Sequence, residues 1–409
     1  MLKREIKIGI LTFLAYMAAY NVRNMVSAFI PLISAENVFS LEALGSMGGA
    51  FFLIYGIGQL INGYAGNKVA VKHMLFTGLF LSGILMILFP LCRSSTSAIL
   101  LWGACGFLCS MLWAPITRFV GENTDFNSGY KILTALSLAS NLGLVTAYGF
   151  AIIGSQSGNW KTGFYAAGAF IISISIIWFT GALHIEKTGQ KLSAHKQTDE
   201  DKPPEQVRYI TFGFLMIAFV TILNGIVRNT IAFWIPVFVA DILQTSNVVF
   251  ISSIAAAAPF VNVAGIFFTV IIYRLLGRNE FKLLLSLSVT SVVMFIIMLL
   301  LGDKLPVLSI VSLFIAGACM GGITNAIFSI FVLNFTKTGK LSGISGFLNF
   351  LSYVSGAGAS FVFAGILYNG WFLIITIWLI AAFLTIVLSY FAYRYYKSRL
   401  YIKLVQYEH

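Results

Sequence analysis

Apolar residues arrive along this chain in runs of about 20 or more, each long enough to cross a hydrocarbon core of about 30 Å as a helix. Twelve such runs are legible, at 8–33, 44–66, 73–92, 98–120, 130–154, 162–184, 209–236, 247–273, 280–301, 306–334, 340–366 and 371–394. Short stretches rich in charge, Gly, Pro and Asn separate them, as helix ends require. In lipid a spanning segment must satisfy its own backbone, and runs of this length do so as helices. The pattern therefore predicts an all-α membrane protein with twelve transmembrane helices.

The longest hydrophilic stretch, 185–208, holds five bases, five acids and Pro203-Pro204. It reads as a cytoplasmic linker that divides the helices six and six. Three parts follow: an N-terminal six-helix bundle at 1–184, the linker at 185–208, and a C-terminal six-helix bundle with a short cytoplasmic tail at 209–409. A repeat crosses that linker. Val22-Arg23-Asn24-Met25-Val26-Ser27-Ala28-Phe29-Ile30-Pro31 aligns without gaps with Val227-Arg228-Asn229-Thr230-Ile231-Ala232-Phe233-Trp234-Ile235-Pro236, and five of the ten positions are identical. The two bundles are thus expected to be pseudo-symmetric, with Arg23 and Arg228 at equivalent positions facing a shared axis.

Composition agrees with the runs. With 59% hydrophobic residues, 10% charged and a mean hydropathy of +0.91, the 409-residue chain falls outside the soluble globular class, where charged residues reach about 25%. The formal charge of +12 would suit a nucleic-acid partner if the bases were clustered on a polar face. They are distributed by side instead. Of 26 Lys and Arg, only Arg93, Lys161 and Lys304 fall in the outer loops, only Arg23 and Arg228 lie near the middle of spans, and the other 21 fall in the cytoplasmic segments or at the span ends beside them. This asymmetry predicts both termini in the cytoplasm, a multi-pass protein of a bacterial inner membrane, and no nucleic-acid partner. The first apolar run is too long for a signal peptide, carries Arg23 and shows no cleavage site, so a retained helix is expected. Cys92, Cys105, Cys109 and Cys319 have no metal-ligand spacing, and neither a metal nor a cofactor is expected. A monomer in the bilayer is the simplest assembly.

The candidate chemistry lies with the two arginines. Arginine at the centre of a membrane helix costs roughly 2.5–3.5 kcal/mol on insertion scales, and a carboxylate usually neutralises it. All fourteen Asp and Glu of this chain fall in loops or at helix ends. The missing charge is best supplied by an anionic substrate that comes and goes. A guanidinium keeps its charge when desolvated and offers a planar fork to phosphate or carboxylate oxygens. Tyr16, Tyr20, Arg23 and Ser27 stack on one helix face, Asn224 shares the face of Arg228, and Tyr55 and Gln59 lie one turn apart. With Asn141 beside Ser140 and with Asn349, these side chains suit a wet, neutral-polar cavity holding two fixed positive charges. No Asp, Glu or His stands at mid-depth to carry a coupled proton. No phosphate-cradling loop and no nucleophile–base pair is present, so neither an ATP-driven pump nor an enzyme is expected.

Tyr20-x-x-Arg23-Asn24, Tyr55-Gly56, Trp113-Ala114-Pro115-x-x-Arg118 and Arg228 together resemble the organophosphate:phosphate antiporter family of the major facilitator superfamily, which includes glycerol-3-phosphate and hexose-phosphate carriers. The resemblance implies the major facilitator fold, with Arg23 and Arg228 as the paired phosphate-binding arginines and exchange by rocking of two halves. The chain departs from that family at Gln59, where glycerol-phosphate carriers have a lysine, and at Ser140, where they have a histidine. Its loop Gly63-Tyr64-Ala65-Gly66-Asn67-Lys68 carries Asn67 in place of the usual aspartate. Cytoplasmic gating salt bridges are therefore expected to draw on Glu122 or Glu280.

The sequence supports a secondary transporter of organic anions that exchanges a phosphorylated metabolite for inorganic phosphate. Arg23 and Arg228 bind the anion; Tyr20, Tyr55, Gln59, Asn224, Asn141 and Asn349 orient its organic part. Two alternatives remain open at this level: a carrier of sugar acids or dicarboxylates, and a membrane sensor that binds such anions without moving them.

Overall fold

The computed structural model describes residues 2–407 apart from 66–68, 125, 189–210, 303 and 333–340. The described residues form fourteen α-helices and no strand. The first seven are α1 (Leu2–Ala35), α2 (Leu41–Ala65), α3 (Val71–Leu88), α4 (Ser95–Ser110), α5 (Trp113–Asn123), α6 (Phe126–Gln156) and α7 (Trp160–Thr188). After the linker come α8 (Phe212–Ile242), α9 (Val248–Ala255), α10 (Ala258–Leu275), α11 (Glu280–Leu301), α12 (Pro306–Asn325), α13 (Leu341–Ile366) and α14 (Trp371–Tyr407). Among the described residues each of the twelve predicted runs falls on one or two helices. Most of the predicted linker lies outside the described residues, as do Gly66, Asn67 and Lys68.

Eleven spans among the described residues are long and apolar enough to cross a membrane, with α4–α5 and α9–α10 each forming one span. The exception is α1. Its 34 residues give ample length, but Asn21, Arg23 and Asn24 interrupt its apolar stretch. Large apolar side chains such as Leu100, Leu300 and Phe372 are left exposed, as a surface solvated by lipid tails requires.

Two of the predicted single helices are broken, each for a local reason. Between α4 and α5 the chain leaves the helix at Met111-Leu112, four and three residues before Pro115. Proline has no N–H to donate and its ring clashes with the carbonyl four residues earlier, so the helix restarts with Pro115 in its first turn. Pro259 does the same at the start of α10, after Ala256 and Ala257. By contrast Pro31 and Pro236 stand inside the continuous helices α1 and α8.

The chain divides into two compact units, Met1–Asp201 with Phe233–Phe260, and Lys202–Ala232 with Val261–His409. In the first, α1 packs mainly on α6 and α7, α2 on α4, and α3 on α7. Its core is aromatic: the rings of Phe89 and Phe164 stack at 4.7 Å, with Trp102, Trp160 and Phe29 packed around them. In the second, α11 packs on α14 and α12. Side-chain bonds tie α8 into it: Asn229 Nδ2 donates to Ser352 O of α13 at 2.9 Å, and Trp378 Nε1 of α14 donates to Thr230 Oγ1 at 3.0 Å.

The segment Phe233–Phe260 acts as a strap on the first unit. Ser27 Oγ of α1 donates to Phe233 O at 2.5 Å, the Phe233 ring meets the edge of Phe52, and α9 packs on α6. A Cβ at Gly48 would lie 2.6 Å from Phe233 Cε2, so the ring sits directly on the bare backbone of α2. Gly48→Leu should therefore push Phe233 off α2 and loosen the strap, at a cost of about 1–3 kcal/mol typical of overpacking. The expected result is roughly ten-fold faster labelling of Ser27→Cys by a water-soluble maleimide in the Gly48→Leu background. Unchanged labelling would mean that the strap does not depend on this contact.

Candidate functional site

On α1 the spacing of Tyr16, Tyr20 and Arg23 places three polar side chains along one face, and the structure closes aromatic rings around the charge. The Arg23 guanidinium carbon lies 5.1 Å from the centroid of Phe52, 5.3 Å from that of Tyr20 and 5.8 Å from that of Tyr55. Each distance is within cation–π range, worth about 0.5–1 kcal/mol when exposed and about 2 when desolvated. Contact with a ring face consumes none of the five N–H donors of the guanidinium. The aromatic wall thus positions a half-buried cation. Phe52 also meets Phe233, so the strap packs directly against this wall.

The wall continues away from Arg23. Tyr16 Oη donates to Tyr20 Oη at 3.4 Å, and the Tyr16 ring lies 5.0 Å from Tyr20 and 5.3 Å from Trp113. A small cavity, about 10 Å³ and no larger than a water molecule, is bordered by Tyr16, Ala19, Tyr20 and Arg23 of α1 and by Tyr55 of α2. Its far side is Cys109, Leu112 and Trp113, the residues at the break in the fourth span. Non-helical backbone at membrane depth is tolerated where it is buried in protein or lines a polar cavity, and this break does the latter. The cavity is too small to hold a phosphorylated metabolite.

In the second unit, Arg228 stands in the middle of α8 and is half-buried. Among the described residues it makes no hydrogen bond, ion pair or ring contact. Other cations behave differently: Lys72 pairs with Glu186 at 2.5 Å, Arg118 with Glu122 at 2.6 Å, and Arg4 donates to Asn123. Glu122 is thereby bonded within its own helix α5, and Glu280 opens α11. One turn before Arg228, Asn224 is buried and donates through Nδ2 to Thr324 Oγ1 of α12 at 2.8 Å.

Of the residues singled out from the sequence, Arg23, Tyr20 and Tyr55 come together around one cavity, and Asn224 and Arg228 share a face of α8. Gln59 in α2, Asn141 in α6 and Asn349 in α13 are half-buried but do not border that cavity. The repeat does not give its two asparagines the same work: Asn24 bonds Tyr20 O of its own helix at 2.6 Å, whereas Asn229 ties α8 to α13. Sequence reasoning missed Phe52, which reads as core, and Leu112 and Trp113, which reach the cavity only through the helix break.

A family model described as Major Facilitator Superfamily matches residues 12–360. Among curated proteins, a probable hexose phosphate transport protein of Chlamydia muridarum is 22% identical over 165 residues, 40% of this chain and 36% of that one. The glycerol-3-phosphate transporter of Bacillus subtilis is 25% identical over 261 residues, 59% of this chain and 58% of that one. The membrane sensor protein UhpC of Escherichia coli is 24% identical over 178 residues, 41% and 38% of the two chains. These matches span between about a third and three fifths of the relatives' own lengths. A solved structure of a D-xylose–proton symporter superposes with a TM-score of 0.73 at 12% identity, covering 95% of this chain and 97% of that one.

Proposed function

The chain belongs to the Major Facilitator Superfamily, and on that premise we propose that it is a secondary transporter exchanging a phosphorylated metabolite for inorganic phosphate. The observation that carries this reading is Arg228, a half-buried guanidinium mid-way along an apolar helix with no partner among the described residues. Such a charge is expensive to keep, and an anionic substrate is the partner that repays it. Arg23 of the first unit, held by aromatic faces, is a second cation within a long helix of the chain. Two relatives are named for hexose phosphate and glycerol-3-phosphate transport, which favours phosphate over other anions.

Anion binding drives the cycle in this reading. An empty carrier with an uncompensated Arg228 reorients poorly, and a loaded one reorients readily, so exchange outruns net flux. In liposomes loaded with inorganic phosphate, uptake of labelled phosphate should exceed uptake into unloaded liposomes by at least about ten-fold. Equal rates in the two would remove the exchange mechanism. Gln59 and Ser140 lower the positive charge expected of a glycerol-phosphate carrier, and they favour a carboxylate substrate. Competition by phosphate against uptake separates the two. Similarity to a membrane sensor raises a non-transporting role, which measurable transport by the purified chain alone would discard.

A further inference from the structure

The geometry points to Thr324 as a positioning residue that turns the Asn224 amide so that its Oδ1 reads a hydroxyl group on the organic part of the anion held at Arg228. This inference rests on the anion-binding reading of Arg228 and adds the two residues by which that site tells a hydroxylated anion from a bare one. The argument begins with one proton. Thr324 Oγ1 donates its hydrogen to Met320 O, 3.0 Å away and one turn earlier on α12. The hydroxyl can then only accept from the Asn224 atom 2.8 Å away, which must be the amide nitrogen. The network therefore fixes the amide orientation, and Oδ1 points elsewhere.

That Oδ1 is buried and has no hydrogen-bond partner, on a residue only 2% exposed. Buried acceptors are nearly always matched, and an orphaned one calls for an explanation. Asn224 lies on the same face of α8 as Arg228, one turn and about 6 Å along the axis. A donor-only cation and a neutral acceptor at that spacing fit an anion carrying a hydroxyl a few bonds from its charged group. Inorganic phosphate is too small to span both. The backbone of α12 also departs from α-helical winding just beyond Thr324, with a π-helical turn at Ala326–Ile330, a feature frequent at functional sites.

The first unit contains a built-in control. Asn21 Nδ2 donates to Thr146 Oγ1 at 2.9 Å, Thr146 donates to Gly143 O, and Asn21 Oδ1 is again buried without a partner. Two residues from Arg23, however, Asn21 faces away from it. It lies against α6, where a Cβ at Gly143 would meet Met17 O and the Asn21 backbone nitrogen. The same bond pattern there fastens two helices and has no charged group on its face.

Binding constants measured on the purified full chain for inorganic phosphate, n-propyl phosphate and glycerol 3-phosphate test the assignment. Propionate and glycerate form the matched pair for a carboxylate substrate. Wild type should favour the hydroxylated member of a pair by at least about ten-fold, one good hydrogen bond's worth. Asn224→Leu and Thr324→Val should bring that ratio to about one; Thr324→Ser should keep it at the wild-type value, and Asn21→Leu should leave it alone. Retained phosphate binding without hydroxyl discrimination in wild type overturns this inference only. An unchanged ratio in Asn224→Leu, an equal loss for every ligand, or a collapse of the ratio in Asn21→Leu also overturns it. Absence of binding by all five anions overturns the anion-carrier reading as well.

Discussion

Arg228→Lys lowers phosphate exchange by roughly 30- to 1,000-fold while the protein still inserts and purifies as wild type. Lysine keeps the charge but replaces a planar fork with a point charge of three rotatable donors. Two charge-assisted hydrogen bonds held in parallel become one, and losing a bond to a charged group costs about 1.5–3 kcal/mol. The geometric mismatch adds to that, giving the stated range. Arg23→Lys should fall in the same range for an additional reason. Its guanidinium lies against the rings of Tyr20, Phe52 and Tyr55, and an ammonium lacks the planar face that stacks on them. Labelled-phosphate counterflow in liposomes, normalised to inserted protein, measures both. Near-normal exchange in the two lysine variants would take the arginines out of the mechanism.

The arginines were legible because an unmatched charge in an apolar run violates a strong rule, and the helices because lipid leaves the backbone few options. Tyr20 and Tyr55 followed from helical spacing. What escaped depends on contacts between helices. Phe52 looks like any core phenylalanine until the rotation of α2 turns it onto Arg23. Pro115 and Pro259 break their spans whereas Pro31 and Pro236 do not, so proline alone does not locate a break. The spaced glycines Gly317 and Gly321, a pattern that usually marks close helix packing, have room for a Cβ or nearly so, with nearest neighbours at 3.6 and 3.3 Å. Thr324 gave no signal, because a hydroxyl bonded to its own helix resembles every other membrane threonine.

One tight backbone approach that matters for the site is at Gly106, and even a single methyl there should unseat two helices. A Cβ on Gly106 would lie 2.5 Å from Phe51 O, 3.1 Å from Phe51 Cα and 3.2 Å from Phe51 C, all backbone of α2. A helical backbone has no rotamer through which to yield, so α2 and α4 must separate along their length. The seam has few alternatives: Gly58 lies against Ser110, whose Oγ accepts from Asn62 Nδ2 at 2.7 Å, and Gly103 faces Ala50. Gly106→Ala should cost about 3 kcal/mol, at the upper end of overpacking, and Gly106→Val more. Phe52 and Tyr55 ride on α2, while Cys109 and the break at Leu112 and Trp113 terminate α4, so the same displacement opens the wall around Arg23. Thermal unfolding of the purified protein should show Gly106→Ala lowered by roughly 5 °C or more. Gly149→Ala on α6, where a Cβ meets nothing within 4 Å, should stay within about 1 °C of wild type or rise, since alanine favours the helix. Equal melting of the two variants would show that α2 and α4 are free to adjust, and that the aromatic wall is not held by their seam.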